Sequence, residues 1–364
     1  MPDHQLRFAR KPQVNLSRST AVRMRLLIIC ALLVILQSSF SDSGVSFAVA
    51  FLASVSAVLA ELLMTRKRYG LLKINDGSAA ASGLILALML PNQINPVYAA
   101  LGAVFAMVVV KHSFGGLGAN RFNPALAGWL FIRFSWPDSY AKALEGAASS
   151  SVLPFGYLPQ AGSAADQLAG GFFNKYIFSF FSAELPSGYL DLLWRQPPGI
   201  IADRAVLALI LGTVAIVAFM ISRLRLSAVY LAVFCLLVRV FGDLPAEGEW
   251  WNGDVMLALF SGGTLLTAFF LIVEPSGGAK SEIGGIVIAA VAALLTFIFR
   301  YYGQELYGGF YAAALVNAFT PLLCKAECFL LYPRSVSAEN LSKVSIMNQG
   351  TVSRENKTVV GEDV

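Results

Sequence analysis

The chain has 364 residues, of which 57% are hydrophobic and 13% charged, with a net charge of +5 and a mean hydropathy of +0.66. Soluble domains carry about twice that charged fraction. The composition therefore excludes a soluble globular enzyme and points to a polytopic membrane protein. Two His and four Cys leave little material for a metal or haem site. No nucleic-acid partner is expected.

Residues 1–25 are polar and basic, with Arg7, Arg10, Lys11, Arg18, Arg23 and Arg25. No cleavable signal peptide is expected, because the first apolar run starts only after about 25 residues and no small-residue cleavage site follows it. Apolar runs then cover 26–41, 44–64, 78–91, 95–112, 122–135, 205–222, 226–242, 254–273, 283–300 and 309–332. They predict an all-α fold with about ten transmembrane helices. Runs 78–91 and 122–135 are shorter than the ~20 residues a straight crossing needs. Cys30, Cys235, Cys324 and Cys328 lie inside apolar runs and read as small buried hydrophobes.

Lys and Arg in short loops set the orientation. With the N-terminus inside, the inner segments hold Arg66, Lys67, Arg68 and Lys73, then Lys111 with Arg121, Arg223 with Arg225, Lys280, and Arg334 with Lys343. The outer loop 242–253 carries Asp243, Glu247 and Glu249 and no Lys or Arg. Both termini are therefore expected in the cytoplasm, with 335–364 a disordered tail.

The spans divide into a first half, 26–135, and a second half, 205–334, around an outer loop at 136–204. Five crossings per half is an odd number, so the halves face opposite ways. Each half has a Ser-Gly segment running to a proline, Ser82-Gly83 to Pro91 and Ser261-Gly262 to Pro275. Each also has a glycine-rich turn before a run containing Asn, at Gly115–Asn123 and at Gly308-Gly309 before Asn317. Inverted repeats with broken helices place a site at the midplane between the halves. In the 136–204 loop, an aromatic patch from Phe172 to Phe181 reads as an interfacial segment on the outer face.

The stretch Lys111–Pro137, KHSFGGLGANRFNPALAGWLFIRFSWP, joins two of these runs through a glycine-rich turn and Asn123-Pro124. Glycines let backbone approach backbone or ligand, and Asn-Pro opens a helix. Irregular backbone at membrane depth survives only where protein or a cavity covers it. The stretch reads as a broken helix pair lining an internal site, with Asn123 a candidate pocket wall; the alternative is an ordinary loop between membrane helices.

GGLGANRFNPALAG, FLASVSAVLAELL (51–63) and DGSAAASGLILALMLP (76–91) resemble the RnfD component of the Rnf ion-translocating electron transport complex, in the NqrB/RnfD family of membrane flavoproteins. So do FSGGTLLTAFFLIVEP (260–275) and YGGFYAAALVNAFTPLL (307–323). The NqrB component of the sodium-pumping NADH:quinone reductase is similar but more distant. The resemblance covers nearly all of 20–334. It implies a ten-helix subunit of the bacterial inner membrane that passes electrons through flavin and, with partner subunits, couples them to Na⁺ or H⁺ movement. Iron–sulfur and flavin partner subunits would handle ferredoxin and NAD, since no Cys series or nucleotide-binding glycine motif is present here. The family carries an FMN linked by phosphoester to a threonine in the outer loop, and a second, non-covalent flavin such as riboflavin is also expected.

The sequence departs from that pattern. The 136–204 loop has no threonine, and the best alignment, Glu145 to Leu153, places Ser151 at the attachment position. A serine hydroxyl can form the same ester; the alternative is an Ala/Ser linker without covalent flavin. Thr264, in Ser261-Gly262-Gly263-Thr264, lies roughly 15 Å from the outer end of its span, too deep for an external attaching enzyme. With Ser261 and Gly262 it is expected to pack helices closely or to touch a non-covalent flavin. Val273-Glu274-Pro275 replaces the family's Thr-Asp-Pro. Glu274, Asp76 and Glu61 are read as interface anchors or ion contacts, and Lys111 as a side chain snorkelling to the cytoplasmic surface. Two other readings stand beside the redox subunit: a small-solute channel or transporter of the same inverted architecture, and a structural subunit without flavin.

Overall fold

A computed structural model describes residues 20–41, 44–69, 77–113, 122–145, 164–176, 193, 199–219, 221–246, 248–273 and 282–331. Ser151, Glu274, Asp76 and the Gly115–Gly118 turn lie outside them. The described residues are mainly helical, with no strand beyond a single antiparallel bridge between Pro91 and Ile200. The all-α expectation therefore holds.

The first half comprises α1 (Thr20–Ser41), α2 (Val45–Tyr69), α3 (Ser78–Leu88), α4 (Pro96–Phe105) with a π stretch Ala106–His112, and α5 (Pro124–Ser135). Two further helices follow, α6 (Pro137–Glu145) and α7 (Ala164–Tyr176). The second half comprises α8 (Val206–Phe219), α9 (Ile221–Phe241), α10 (Val255–Phe260), and α11 (Thr264–Leu266) with a π stretch Thr267–Leu271. It ends with α12 (Glu282–Phe297), its π stretch Ile298–Tyr302, and α13 (Gly308–Leu331). Among the described residues, three stretches are long and apolar enough to cross a membrane: Val45–Arg66, Leu224–Phe241 and Ile283–Tyr302. The short runs 78–91 and 122–135 give the short helices α3 and α5, as their lengths foretold.

Local chemistry explains the helix starts. Asn95 and Asn123 each cap a helix whose first residue is proline, and their side-chain oxygens accept from Val97 N and from Ala125 N and Leu126 N. Proline at that position has the right φ and no amide to orphan. Asp254 caps α10 by accepting from Leu257 N at 2.9 Å.

The order of elements recurs. In the first half α2 packs against both α3 and α4, and α4 against α5; in the second, α9 packs against α12, and α12 against α13. The two halves meet where α1 lies along α8. There the Cys30 thiol donates to Gly212 O at 3.3 Å, and Ala208 N donates to Gln37 Oε1 at 2.8 Å. Trp129 of α5 forms a second junction, edge-on to Phe310 and Tyr311 of α13 at 5.2 and 4.9 Å. Its indole N–H donates to the buried Tyr140 hydroxyl at 3.1 Å. The outward faces of α2 and α12 are apolar, with Phe47, Phe51, Leu59, Ile283 and Val287 exposed, as lipid-facing surfaces are.

Two sequence readings change. The Ser82-Gly83 pair is not the counterpart of Ser261-Gly262. It lies inside α3, where a Cβ on Gly83 would come within 2.8 Å of Ala53 O on α2. The feature that recurs is a left-handed glycine followed by a hydroxyl at the start of a helix, Gly77-Ser78 before α3 and Gly263-Thr264 before α11. The end of the stretch read as a loop at 136–204 is also buried. Ile200, Ile201 and Ala202 are fully buried, and Ile201 N and Ala202 N donate to Leu90 O and Leu88 O at 2.9 and 3.1 Å. This strap supplies donors to carbonyls that the C-terminal end of α3 leaves open.

Candidate functional site

The second-half span 254–273 is broken at Ser261–Gly263. Ser261 is extended, while Gly262 and Gly263 take φ of 66° and 65°. A side chain at either glycine would be strained by that φ. It would also be crowded, since a Cβ on Gly262 meets Leu306 O at 2.5 Å and one on Gly263 meets the Phe310 ring at 2.7 Å. The pair of glycines is what allows this backbone to turn inside the protein.

Two buried charges bracket the break. Asp203, carried by the strap, accepts from Gly263 N at 2.9 Å. The Tyr307 hydroxyl accepts from Ile200 N of the same strap at 3.1 Å. A carboxylate here satisfies an open amide at the start of α11 and sits at the positive end of its dipole. Arg300, only 2% exposed, comes from the π stretch after α12. Its Nη1 donates to Ala258 O at 2.7 Å, Thr264 Oγ1 at 3.0 Å and Ser261 O at 3.1 Å. Its Nη2 donates to Ser261 Oγ. These carbonyls belong to the C-terminal end of α10, the negative end of that dipole.

The first half holds a counterpart. Lys111, 1% exposed, lies in the π stretch after α4. Its Nζ donates to Glu61 Oε1 at 2.6 Å, Glu61 Oε2 at 2.8 Å and Ser78 Oγ at 2.6 Å. The snorkelling expected of Lys111 is thus wrong, and so is the reading of Glu61 as an interface anchor. A carboxylate on α2 within reach makes an internal ion pair available, and with Ser78 it occupies all three ammonium protons. In both halves a cation from a π stretch reaches the hydroxyl that follows a left-handed glycine. Single π turns inside α-helices cluster at functional sites.

The residues proposed from sequence fall in separate places. Ser261, Gly262 and Thr264 are together at the second-half break. Asn123 is buried at the head of α5 in the first half, with its side-chain oxygen bonded to Ala125 N and Leu126 N at 2.8 and 3.3 Å. Ser151 is outside the described residues. At the break, Thr264 Oγ1 donates to Ala258 O at 2.8 Å while accepting from Arg300, and Ser261 Oγ donates to Leu257 O. The hydroxyls and the Gly263 amide are therefore engaged within the protein. A flavin contacting them would have to displace Arg300 or Asp203. No group of three or more His, Cys, Asp or Glu able to hold a metal occurs among the described residues.

Arg300, Asp203 and Tyr307 carry no signal in the sequence. Arg300 closes the run 283–300 and reads as an end anchor; an arginine at the last turn of a membrane run signals nothing until its partners are known. Asp203 sits just before the run 205–222, where an acidic residue reads as loop.

Known proteins share this sequence over most of its length. A sequence model of the NQR2, RnfD, RnfE family matches residues 7–327. The chain is 29% identical over 325 residues to the D component of the Na⁺-translocating ferredoxin:NAD⁺ oxidoreductase complex of Acetobacterium woodii, covering 89% of this chain and 94% of that one. It is 28% identical over 276 residues to the D component of the proton-translocating ferredoxin:NAD⁺ oxidoreductase complex of Clostridium ljungdahlii, covering 74% and 79%. It is 28% identical over 344 residues to the D component of the ion-translocating oxidoreductase complex of Yersinia pseudotuberculosis, covering 87% and 95%. With a broken-helix fold of all-α halves and a family match over nearly its whole length, the chain belongs to the NQR2, RnfD, RnfE family.

Proposed function

We propose that the chain is the RnfD-type component of an ion-translocating ferredoxin:NAD⁺ oxidoreductase complex, acting in the bacterial inner membrane with both termini in the cytoplasm. The observation that carries this reading is the near full-length match to relatives bearing that name. In this reading the chain is one part of a translocase, and partner subunits supply the sites for ferredoxin and NAD. The relatives are named for Na⁺ in one case and protons in another, so the reading commits to cation translocation without choosing the ion.

The reading includes an FMN in the outer loop, held through Ser151. A flavin accepts one or two electrons, so when bound it joins single-electron carriers to two-electron ones. The chain's own part is to anchor that loop. The strap that ends it is pinned to α3 through Leu88 O and Leu90 O and to α11 through Asp203. A second, non-covalent flavin of riboflavin type belongs to the same reading. Its contact with Ser261, Gly262 or Thr264 comes only with release of Arg300 or Asp203.

Peptide mass on protein made together with its flavin-attaching enzyme tests this directly. An FMN-sized increment on the 145–154 peptide, absent from Ser151→Ala, is expected. An unmodified peptide together with colourless protein would sink the flavin carrier. It would leave the flavin-free structural subunit, which the lack of threonine in 136–204 favours. A channel or transporter without partners is set aside by co-purification with the other subunits of the complex.

A further inference from the structure

The cation at the second-half break is held in an unusual way. Four oxygens surround the guanidinium tips: Ala258 O, Ser261 O, Ser261 Oγ and Thr264 Oγ1. All four are neutral. Among the described residues no carboxylate lies within ion-pairing distance of Arg300; the ion pairs are Lys111–Glu61 and Arg133–Glu305. Asp203 lies on the other side of the break, where its Oδ1 is taken by the Gly263 amide. A buried charge is expensive unless its surroundings stabilise it. Here the stabilisation comes from carbonyls at the C-terminal end of α10 and from two hydroxyls. Carbonyls of an unwound helix end, supplemented by hydroxyls, are the ligand set by which membrane helices hold free alkali cations.

Two further observations point the same way. The first is that the Arg300 Nε has no partner although it is buried. A guanidinium held along its side edge would use that donor. This one bonds only through its tips, where the charge meets the oxygen cluster. The second is recurrence. The first half holds the Lys111 ammonium among Glu61 Oε1, Glu61 Oε2 and Ser78 Oγ, in the equivalent place on the equivalent element. Lysine and arginine share their charge and little of their geometry. What the two halves have in common is therefore a cation in an oxygen cluster beside a left-handed glycine.

We propose that the Ser261–Thr264 break is a monovalent-cation site in which Arg300 is the resident, tethered ion. The tether closes the break to free Na⁺. Removing it leaves an oxygen cluster that takes up an alkali cation from solution. This inference is independent of any flavin and of the identity of the electron carriers.

The test uses the full-length chain purified in detergent, with apparent unfolding midpoints compared in NaCl and in N-methyl-D-glucamine chloride at equal concentration. The wild type is expected to give the same midpoint in both salts. Arg300→Ala is expected to melt at least about 3 °C higher in NaCl, as binding to the folded state alone requires. Adding Thr264→Val to Arg300→Ala, which deletes one ligand, is expected to shrink that difference. Equal midpoints for folded Arg300→Ala in the two salts would overturn the proposal, and so would a sodium effect of the same size in the wild type. If Arg300→Ala does not fold in either salt, Arg300→Lys decides. A site for a cation accepts the ammonium and gives folded, sodium-indifferent protein. Failure of Arg300→Lys as well would mean that the shape of the guanidinium is required, and the proposal falls.

Discussion

The Lys111–Glu61 pair allows a sharp prediction, because both charges are buried and each is the other's main partner. Lys111 Nζ lies 2.6 and 2.8 Å from the Glu61 oxygens and 2.6 Å from Ser78 Oγ. Lys111→Met strands a carboxylate that is 7% exposed, with one hydroxyl left beside it. Glu61→Leu strands the ammonium in the same way. Breaking a buried pair from one side costs about 3–5 kcal/mol, whereas replacing both partners by apolar groups of similar volume is close to neutral. Each single variant should therefore lower the apparent midpoint by on the order of 10 °C. The double variant, Glu61→Leu with Lys111→Met, should recover most of that loss. Scanning fluorimetry of the four proteins in one detergent gives the cycle. Single losses under about 1 kcal/mol would mean a solvated pair of the surface kind. A double variant as unstable as the two singles added would mean that the residues are not partners. Either result refutes the buried pair.

Gly263→Ala should destabilise the protein by about 2–4 kcal/mol, from the left-handed φ and from overpacking against Phe310, and the fall in unfolding midpoint measures it. Asp203→Ala should cost about 1–3 kcal/mol by leaving the Gly263 amide unpaired in the interior, with Asp203→Asn milder because an amide oxygen still accepts; the two midpoints check the order. Tyr140→Phe removes the acceptor for the buried Trp129 indole N–H and should cost about 1–3 kcal/mol, read as a lower midpoint together with a change in tryptophan emission.

The parts of the fold that depend on local composition are visible in the sequence. Apolar runs mark the helices, short runs mark α3 and α5, and Asn-Pro marks the heads of α4 and α5. The Ser-Gly-Gly-Thr break is not visible in this way, since adjacent glycines also lie within the unbroken helices α12 and α13, at Gly284-Gly285 and Gly308-Gly309. The charges at the site are hidden because their meaning lies in long-range partners. Lys111 ends a run and has a long stem, so snorkelling is the natural reading, and the carboxylate that captures it is fifty residues away on another helix. Arg300 is in the same position. As letters, Ser82-Gly83 matches Ser261-Gly262, and that match misleads. The physical feature the halves share is a backbone one, a left-handed glycine that lets a helix begin inside the protein, and it falls on Gly77 and Gly263.

The strap at 199–203 gives these separate features a common consequence. Its amides close the end of α3, its carboxylate closes the start of α11, and Ile200 N is fixed to the Tyr307 hydroxyl at the turn before α13. A broken helix from each half is thus tied to the same five residues. In sequence those residues also close the 136–204 segment that contains Ser151. A displacement that reaches this strap cannot be absorbed as loop motion, because residues 200–202 are buried and the strap's polar groups are bonded to both halves. Such a displacement must either stop at the strap or break bonds at both helix ends at once. The strap therefore couples the end of α3 to the start of α11 through bonds that change together.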